Sequence, residues 1–171
     1  MKKVICILVL MTTFSFSAGW YVQKDVDAMT DKVEKMAIVK NNKGHSFMIY
    51  KIGEEVWANF ALSDNIFDTL DYEKSLIMRI DKNKATRIKQ LKGLGEMVYN
   101  REFYVWKPKW INFILGKSKD EQMLKTINLK NLMNGSVLKV RYFISTGGYK
   151  DTSFTLKGSS KVIKEILEDE I

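Results

Sequence analysis

The chain has 171 residues, with 28 lysines and arginines against 20 aspartates and glutamates, one cysteine and one histidine. A single cysteine excludes an intramolecular disulfide, and with one histidine beside it the chain lacks the ligand set of the usual zinc sites. The formal charge of +8 favours anionic partners, although lysines spread along the whole sequence also serve solubility alone.

Residues 1–18 have the order of a secretory signal peptide. A positive start leads into a largely apolar run from Val4 to Phe14, and small residues follow it. The run is shorter than the about 20 apolar residues of a membrane-spanning helix, so an uncleaved anchor is the less favoured interpretation. Cleavage would remove Cys6 and leave residues 19–171 as a single periplasmic or secreted domain without stable membrane insertion.

Alternating apolar and polar residues predict a series of β-strands along the first two thirds of the chain. Short turns at Asn41–Gly44 and Gly53–Glu54 join the first three, which is typical of an antiparallel meander. The predicted strands are Lys35–Lys40, Ser46–Ile52, Glu55–Leu62, Ser75–Asp81, Phe103–Trp106 and Trp110–Leu115.

The last third adds helices to a further pair of strands. Ser118 and Glu121 have the spacing of a capping box, and Ser159 precedes an apolar stripe of helical period. The predicted elements are a helix from Ser118, a helical turn over Asn128–Met133, strands Val137–Ser145 and Thr152–Leu156, and a final helix from Ser159. The whole pattern predicts a mainly β chain: an antiparallel β-sandwich-like domain with one or two short helices and a C-terminal helix.

The only histidine, His45, is predicted to lie at a turn beside Gly44. A triad would need a nucleophile such as Ser46 together with an acid that orients the imidazole. A hairpin tip is a poor scaffold for that geometry, so we expect no catalytic role for His45 and no enzymatic activity from it.

A group of carboxylates forms the basis of one alternative function. Asp64, Asp68 and Asp71 are three or four residues apart, a spacing that places them on one face if the segment is helical. Retaining glycosidases hold two carboxyl groups about 5 Å apart, so a carboxylate-based hydrolase is one hypothesis. A solvated acidic surface would show the same pattern.

Two charged features supply candidate binding residues. Asp27 and Asp31 form an acidic turn, whose spacing lacks the pattern of a calcium loop, so no metal or other cofactor is expected there. Arg79 and Asp81 are predicted to lie on the same face of the strand Ser75–Asp81. They would pair with each other or bind a charged group of a partner, although an ordinary outward polar face is the simpler interpretation.

Four stretches occur in an order that resembles a known group of proteins. They are Trp20–Val22, Asp27–Asp31, Met78–Lys84 and Phe154–Ser159, the last of which opens the C-terminal helix. This layout is similar to that of exported bacterial proteins associated with type VI secretion and to the invasion-associated locus B group. The resemblance implies an envelope β domain without catalysis that acts as an accessory or interaction protein. The chain departs from the pattern in having no cysteine after residue 18.

We therefore expect an exported, non-enzymatic envelope protein that acts as an accessory or protein-interaction module through Arg79, Asp81, Asp27 and Asp31. Its partner would be an envelope or secretion-system protein, with a cell-wall component as the alternative. Nucleic acid is not expected, because the densest basic stretch, Lys82–Lys92, contains no aromatic side chain on which bases stack. An inhibitor or immunity factor against a cell-wall-degrading enzyme is the second hypothesis, and the carboxylate-based hydrolase is the third.

Overall fold

Two antiparallel β-sheets and two helices make up the described part of the chain. The computed structural model describes residues 19–26, 28–71, 73–88, 109–117 and 129–167. The strands are β1 Tyr21–Val26, β2 Val33–Lys40, β3 Ser46–Ile52, β4 Glu55–Ala61, β5 Ile77–Ile80, β6 Thr86–Arg87, β7 Trp110–Lys117, β8 Val137–Phe143 and β9 Tyr149–Thr155. The helices are α1 Leu129–Asn134 and α2 Ser159–Leu167.

The strands β1 to β4 form a meander that β7 extends. The first sheet has the order β1-β2-β3-β4-β7 and the second has the order β6-β5-β8-β9. Gly44 and Gly53 lie in the tight turns on either side of β3, with φ of 78° and 59°. Side chains rarely adopt such angles, so glycine lets the meander turn back on itself here.

Aromatic side chains from both sheets fill the space between them. The ring centroids of Phe60 and Tyr142 are 5.3 Å apart, and those of Phe47 and Phe154 are 5.9 Å apart. All four side chains are buried. Because each pair joins one sheet to the other, burial of these rings holds the two layers face to face.

The helix α2 covers the part of the first sheet formed by β1, β2 and β3. Its buried side chains are Ser159, Val162, Ile163, Ile166 and Leu167. The Ser159 hydroxyl donates to the carbonyl oxygen of Leu132 in α1 at 2.8 Å, so this side chain ties the two helices together. The apolar stripe predicted from the sequence therefore packs on protein.

The exposed edge of β9 is capped by side chains from the first sheet and the segments beside it. Trp20 Nε1 donates to the carbonyl oxygen of Thr155 at 2.8 Å, and Asn41 Nδ2 donates to that of Ser153 at 3.1 Å. Lys43 Nζ lies 3.4 Å from the carbonyl oxygen of Asp151. Three successive outward carbonyls are thus occupied, which protects this edge against pairing with another strand.

The mainly β, sandwich-like fold and the C-terminal helix predicted from the sequence are confirmed. The strand Ser46–Ile52 has the predicted bounds, whereas β5 begins later and ends earlier than expected. Alternation did not reveal β1 or β6, because β1 is exposed at a sheet edge and β6 has only two residues. The predicted leader, the strand Phe103–Trp106 and the helix from Ser118 lie outside the described residues.

Among the described helices, none combines the length and apolar character needed to cross a membrane.

Candidate functional site

The outer face of the second sheet carries a concentration of basic side chains. Alternation along β5 and β8 turns Met78 and Val140 into the core and leaves Ile77, Arg79 and Lys139 facing outward. The strands pair so that Arg79 lies directly opposite Lys139. The same register places Ile77 opposite Arg141.

An open groove of about 530 Å³ lies on this face. The turn between β2 and β3 forms one rim through Asn42 and Lys43, and Ala85 lies beyond β5 on the other side. The basic residues that line it are Lys43, Arg79, Lys139 and Arg141. We call it the cationic groove, because Asp151 is the one acidic residue among the described residues that line it.

Arg141 is held in place by two neighbours on β9. Its Nε and Nη2 donate to the two carboxylate oxygens of Asp151 at 2.7 and 2.8 Å. The ring centroid of Tyr149 lies 4.0 Å from the guanidinium carbon. The hydrogen bond from Arg141 lowers the pKa of the Asp151 carboxyl, so the pair stays ionised and the charge of Arg141 is balanced.

Arg79 and Lys139 have no such balancing carboxylate among the described residues. Like charges directly opposite each other on two strands destabilise the pairing. Neither side chain forms an ion pair with any carboxylate in the part of the chain that the structure describes. An anion placed between them would therefore gain two charge-assisted contacts and relieve their repulsion.

Asp81 lies outside the strand and does not pair with Arg79. It follows the end of β5 with φ of 50°, in the turn that leads away from the sheet. Its carboxylate accepts hydrogen bonds from the backbone amides of Ser136 and Val137, the latter at 2.9 Å. The expected shared face with Arg79 is wrong, because the chain leaves the extended conformation one residue too early.

The acidic turn is separate from the cationic groove. Asp31 is exposed between β1 and β2 with φ of 55° and is not among the residues that line the groove. Asp27 lies outside the described residues. The structure thus brings Arg79 together with basic residues that were not predicted, and it leaves Asp31 elsewhere.

His45 lies beside the β2–β3 turn, and its side chain is fully buried there. The backbone amide of Ser63 donates to His45 Nδ1 at 3.1 Å, so the neutral ring carries its proton on Nε2. That nitrogen lies 3.4 Å from the hydroxyl of Tyr142. Burial lowers the pKa of the imidazole, with smaller contributions from the nearby charges of Lys43 and Lys150.

The carboxylates considered for a hydrolase do not share a helix. The segment that carries Asp64, Asp68 and Asp71 is an irregular connection between β4 and β5. Asp68 forms an ion pair with Lys150, and Asp71 pairs with Lys74 at 3.1 Å. The described residues of this connection therefore do not form the helical face on which the three carboxylates would have lain. Asp68 and Asp71 each have a lysine beside them.

Within the described ranges, no group of three or more histidine, cysteine, aspartate or glutamate side chains is arranged to hold a metal ion. Comparisons with protein-family models, with curated proteins and with solved structures found no match. The resemblance to type VI secretion-associated proteins stays a prediction.

Three of the four basic residues in the groove, Lys43, Lys139 and Arg141, were not among the predicted binding residues. Lys139 and Arg141 alternate with the core residues Leu138 and Val140 in a predicted strand, which places them on its outer face. That alternation was the available signal. Only the pairing of β8 with β5 reveals that they lie beside Arg79.

Proposed function

We propose that this protein is an exported, non-enzymatic envelope protein that acts as a protein-interaction module, and that the cationic groove is its binding surface. The observation that carries the proposal is the pair formed by Arg79 and Lys139, opposite each other on neighbouring strands without a carboxylate from the described residues. A pair of like charges in this position destabilises the strand pairing. A protein surface that keeps such a pair inside an open groove gains by binding an anionic group there.

The neighbours of this pair supply the shape and the rigidity of the site. Arg141 is fixed by Asp151 and by the ring of Tyr149, so it does not fold over the groove. Lys43 reaches in from the β2–β3 turn and adds a further positive charge at the rim. A net positive potential in a concave surface steers anionic partners toward it.

Asp81 has a positioning role in this proposal. By accepting two backbone amides at the start of β8, it fixes the end of β5 against that strand. The register that brings Arg79 opposite Lys139 depends on this alignment. Of the predicted binding residues, Arg79 therefore contacts the partner, and Asp81 holds the strand that carries Arg79 in position.

The order of charges and apolar residues in residues 1–18 supports export to the periplasm or the cell exterior. The resemblance to type VI secretion-associated proteins supports an envelope or secretion-system protein as the partner. Together these features favour an accessory protein that binds an anionic surface on another envelope protein.

Capture from an envelope extract tests the proposal. The purified protein is immobilised next to the double variant Arg79→Glu, Lys139→Glu, and bound proteins are identified after washes at low and high salt. A matched control is the double variant Lys24→Glu, Lys35→Glu, because these lysines also lie directly opposite each other, on β1 and β2. Both variants change the net charge by the same amount.

We expect a discrete protein that the wild type and the control retain and that the groove variant loses by at least tenfold. Equal loss in both double variants would show that net charge alone drives retention, and the groove would not be the binding surface.

A further inference from the structure

The outward side chains of β5 and β8 form two neighbouring cross-strand pairs that differ in charge. At one end Arg79 faces Lys139, and both charges lack a carboxylate among the described residues. At the other end Ile77 faces Arg141, whose charge Asp151 balances. Together the two pairs offer a doubly positive position beside an apolar and nearly neutral one.

The distance between these two positions matches an extended polypeptide. Arg79 and Ile77 are two residues apart on one strand and share a face, so they are separated by about 6.6–6.8 Å. Alternate side chains of a bound extended segment have the same repeat. A carboxylate between Arg79 and Lys139 then places the side chain two residues away over Ile77.

The composition of the groove favours a protein segment over a phosphate polymer. A phosphate polymer carries a negative charge at every repeat, so its next charge would lie over Ile77 and beside the Arg141–Asp151 pair. That position is apolar on one side and nearly neutral on the other, because Asp151 balances Arg141, so it does not offset a second negative charge. Ala85 and Ser153, which also line the groove, are small and uncharged and suit neutral side chains of a peptide.

The segment would bind through its side chains on the sheet face. Strand addition at β9 is blocked, because Trp20, Asn41 and Lys43 already occupy its outward carbonyls. Backbone pairing would take its affinity from main-chain hydrogen bonds. Face binding instead makes recognition depend on where the carboxylate and the apolar side chain lie along the segment.

We infer, on the basis of the function proposed above, that the partner is a protein with an extended segment in which an acidic and an apolar side chain are two residues apart. The acidic group binds between Arg79 and Lys139, and the apolar side chain packs on Ile77. This spacing gives the cationic groove a preference that charge alone would not give.

Two labelled peptides of identical composition test the spacing. One contains Ser-Thr-Glu-Thr-Val-Thr-Ser, with the glutamate and valine two apart, and the other contains Ser-Thr-Glu-Val-Thr-Thr-Ser, with them adjacent. Binding to the purified protein is measured by fluorescence anisotropy at constant salt, with inorganic polyphosphate as a competitor. The variant Ile77→Thr serves as the probe of the apolar position and keeps a β-branched side chain in the strand.

We expect the peptide with alternate spacing to bind at least fivefold more tightly than its isomer, and Ile77→Thr to remove that preference. Equal affinities for the two peptides, or tighter binding of polyphosphate than of either, would overturn the inference. After either of these two results, the proposed function would still stand if the double variant Arg79→Glu, Lys139→Glu abolished the binding. If neither peptide binds, the inference also falls, and the envelope capture decides the proposed function separately.

Discussion

Asp81 fixes the end of β5 to the start of β8 through the backbone amide of Val137, which donates to its carboxylate at 2.9 Å. The Asp81 amide in turn donates to the Val137 carbonyl oxygen, also at 2.9 Å. This reciprocal contact stands at the end of the strand pair that places Arg79 opposite Lys139. Asp81, which the sequence marked as a binding residue, thus helps to hold the strand pair that lines the cationic groove.

Replacing Asp81 by alanine should lower the free energy of unfolding by about 1.5–3 kcal/mol, because two backbone amides lose a charged acceptor. Asp31→Ala is the matched control. Asp31 has a similar positive φ of 55° but is exposed. Alanine at this position therefore pays the cost of the positive φ without removing the two hydrogen bonds that Asp81 accepts. Urea denaturation of both variants measures the difference. Equal losses of stability would mean that the carboxylate of Asp81 contributes nothing beyond its backbone conformation.

Gly44→Ala should be more destabilising than Gly53→Ala. Both glycines have positive φ, so alanine is strained at either position by about 1–2 kcal/mol. A Cβ at Gly44 would in addition lie 2.7 Å from Ser63 Oγ, whereas a Cβ at Gly53 meets nothing within 4 Å. We expect a further loss of about 1–3 kcal/mol at Gly44, measured by chemical denaturation. A Gly44 variant no less stable than the Gly53 variant would show that the β2–β3 turn does not pack tightly against Ser63.

The buried His45 should make stability fall in mild acid. Burial lowers its pKa in the folded protein below the ordinary value of about 6.5. Between that value and the lowered one, the unfolded chain binds more protons than the folded chain, so the free energy of unfolding falls as the pH falls through this range. Above about pH 6.5 this contribution is constant, because the imidazole is neutral in both states.

The charges around His45 are Lys43 and Lys150, which lower its pKa, and Asp68, which raises it. Its hydrogen-bond partners are Ser63 and Tyr142. Denaturation curves between pH 5 and 8 for the wild type and for His45→Gln isolate the effect. The variant should be less stable at pH 7.5 and should show a smaller loss between pH 6.5 and 5. An unchanged slope in the variant would assign the acid sensitivity to the carboxylates instead.

Local patterns in the sequence were enough for the strands that lie inside a sheet and have regular alternation. They predicted β3, β8 and the helix α2 because each buries one face more fully than the other, and they predicted β4 although its five central side chains, Val56 to Phe60, are all buried. The edge strand β1 was not predicted, because most of its side chains are exposed and it has no apolar face.

The site could not be predicted in full because it depends on contacts between distant parts of the chain. Arg79 is next to Lys139 only through the pairing of β5 with β8. His45 was predicted at a hairpin tip, and its side chain is buried there because the β2–β3 turn folds against Tyr142 of the second sheet. Single-sequence alternation shows which way a side chain faces, and it does not show what lies opposite.

Photo-crosslinking in living cells tests whether the cationic groove binds an envelope protein. A photoreactive residue is placed at Ser153 or Ala85, which line the cationic groove, and at the exposed Lys161 on α2 as a control. We predict a discrete adduct with an envelope protein from both groove positions, absent from the control position and lost when Arg79→Glu, Lys139→Glu is added. The same adducts from Lys161, or adducts that persist in the double variant, would contradict the account.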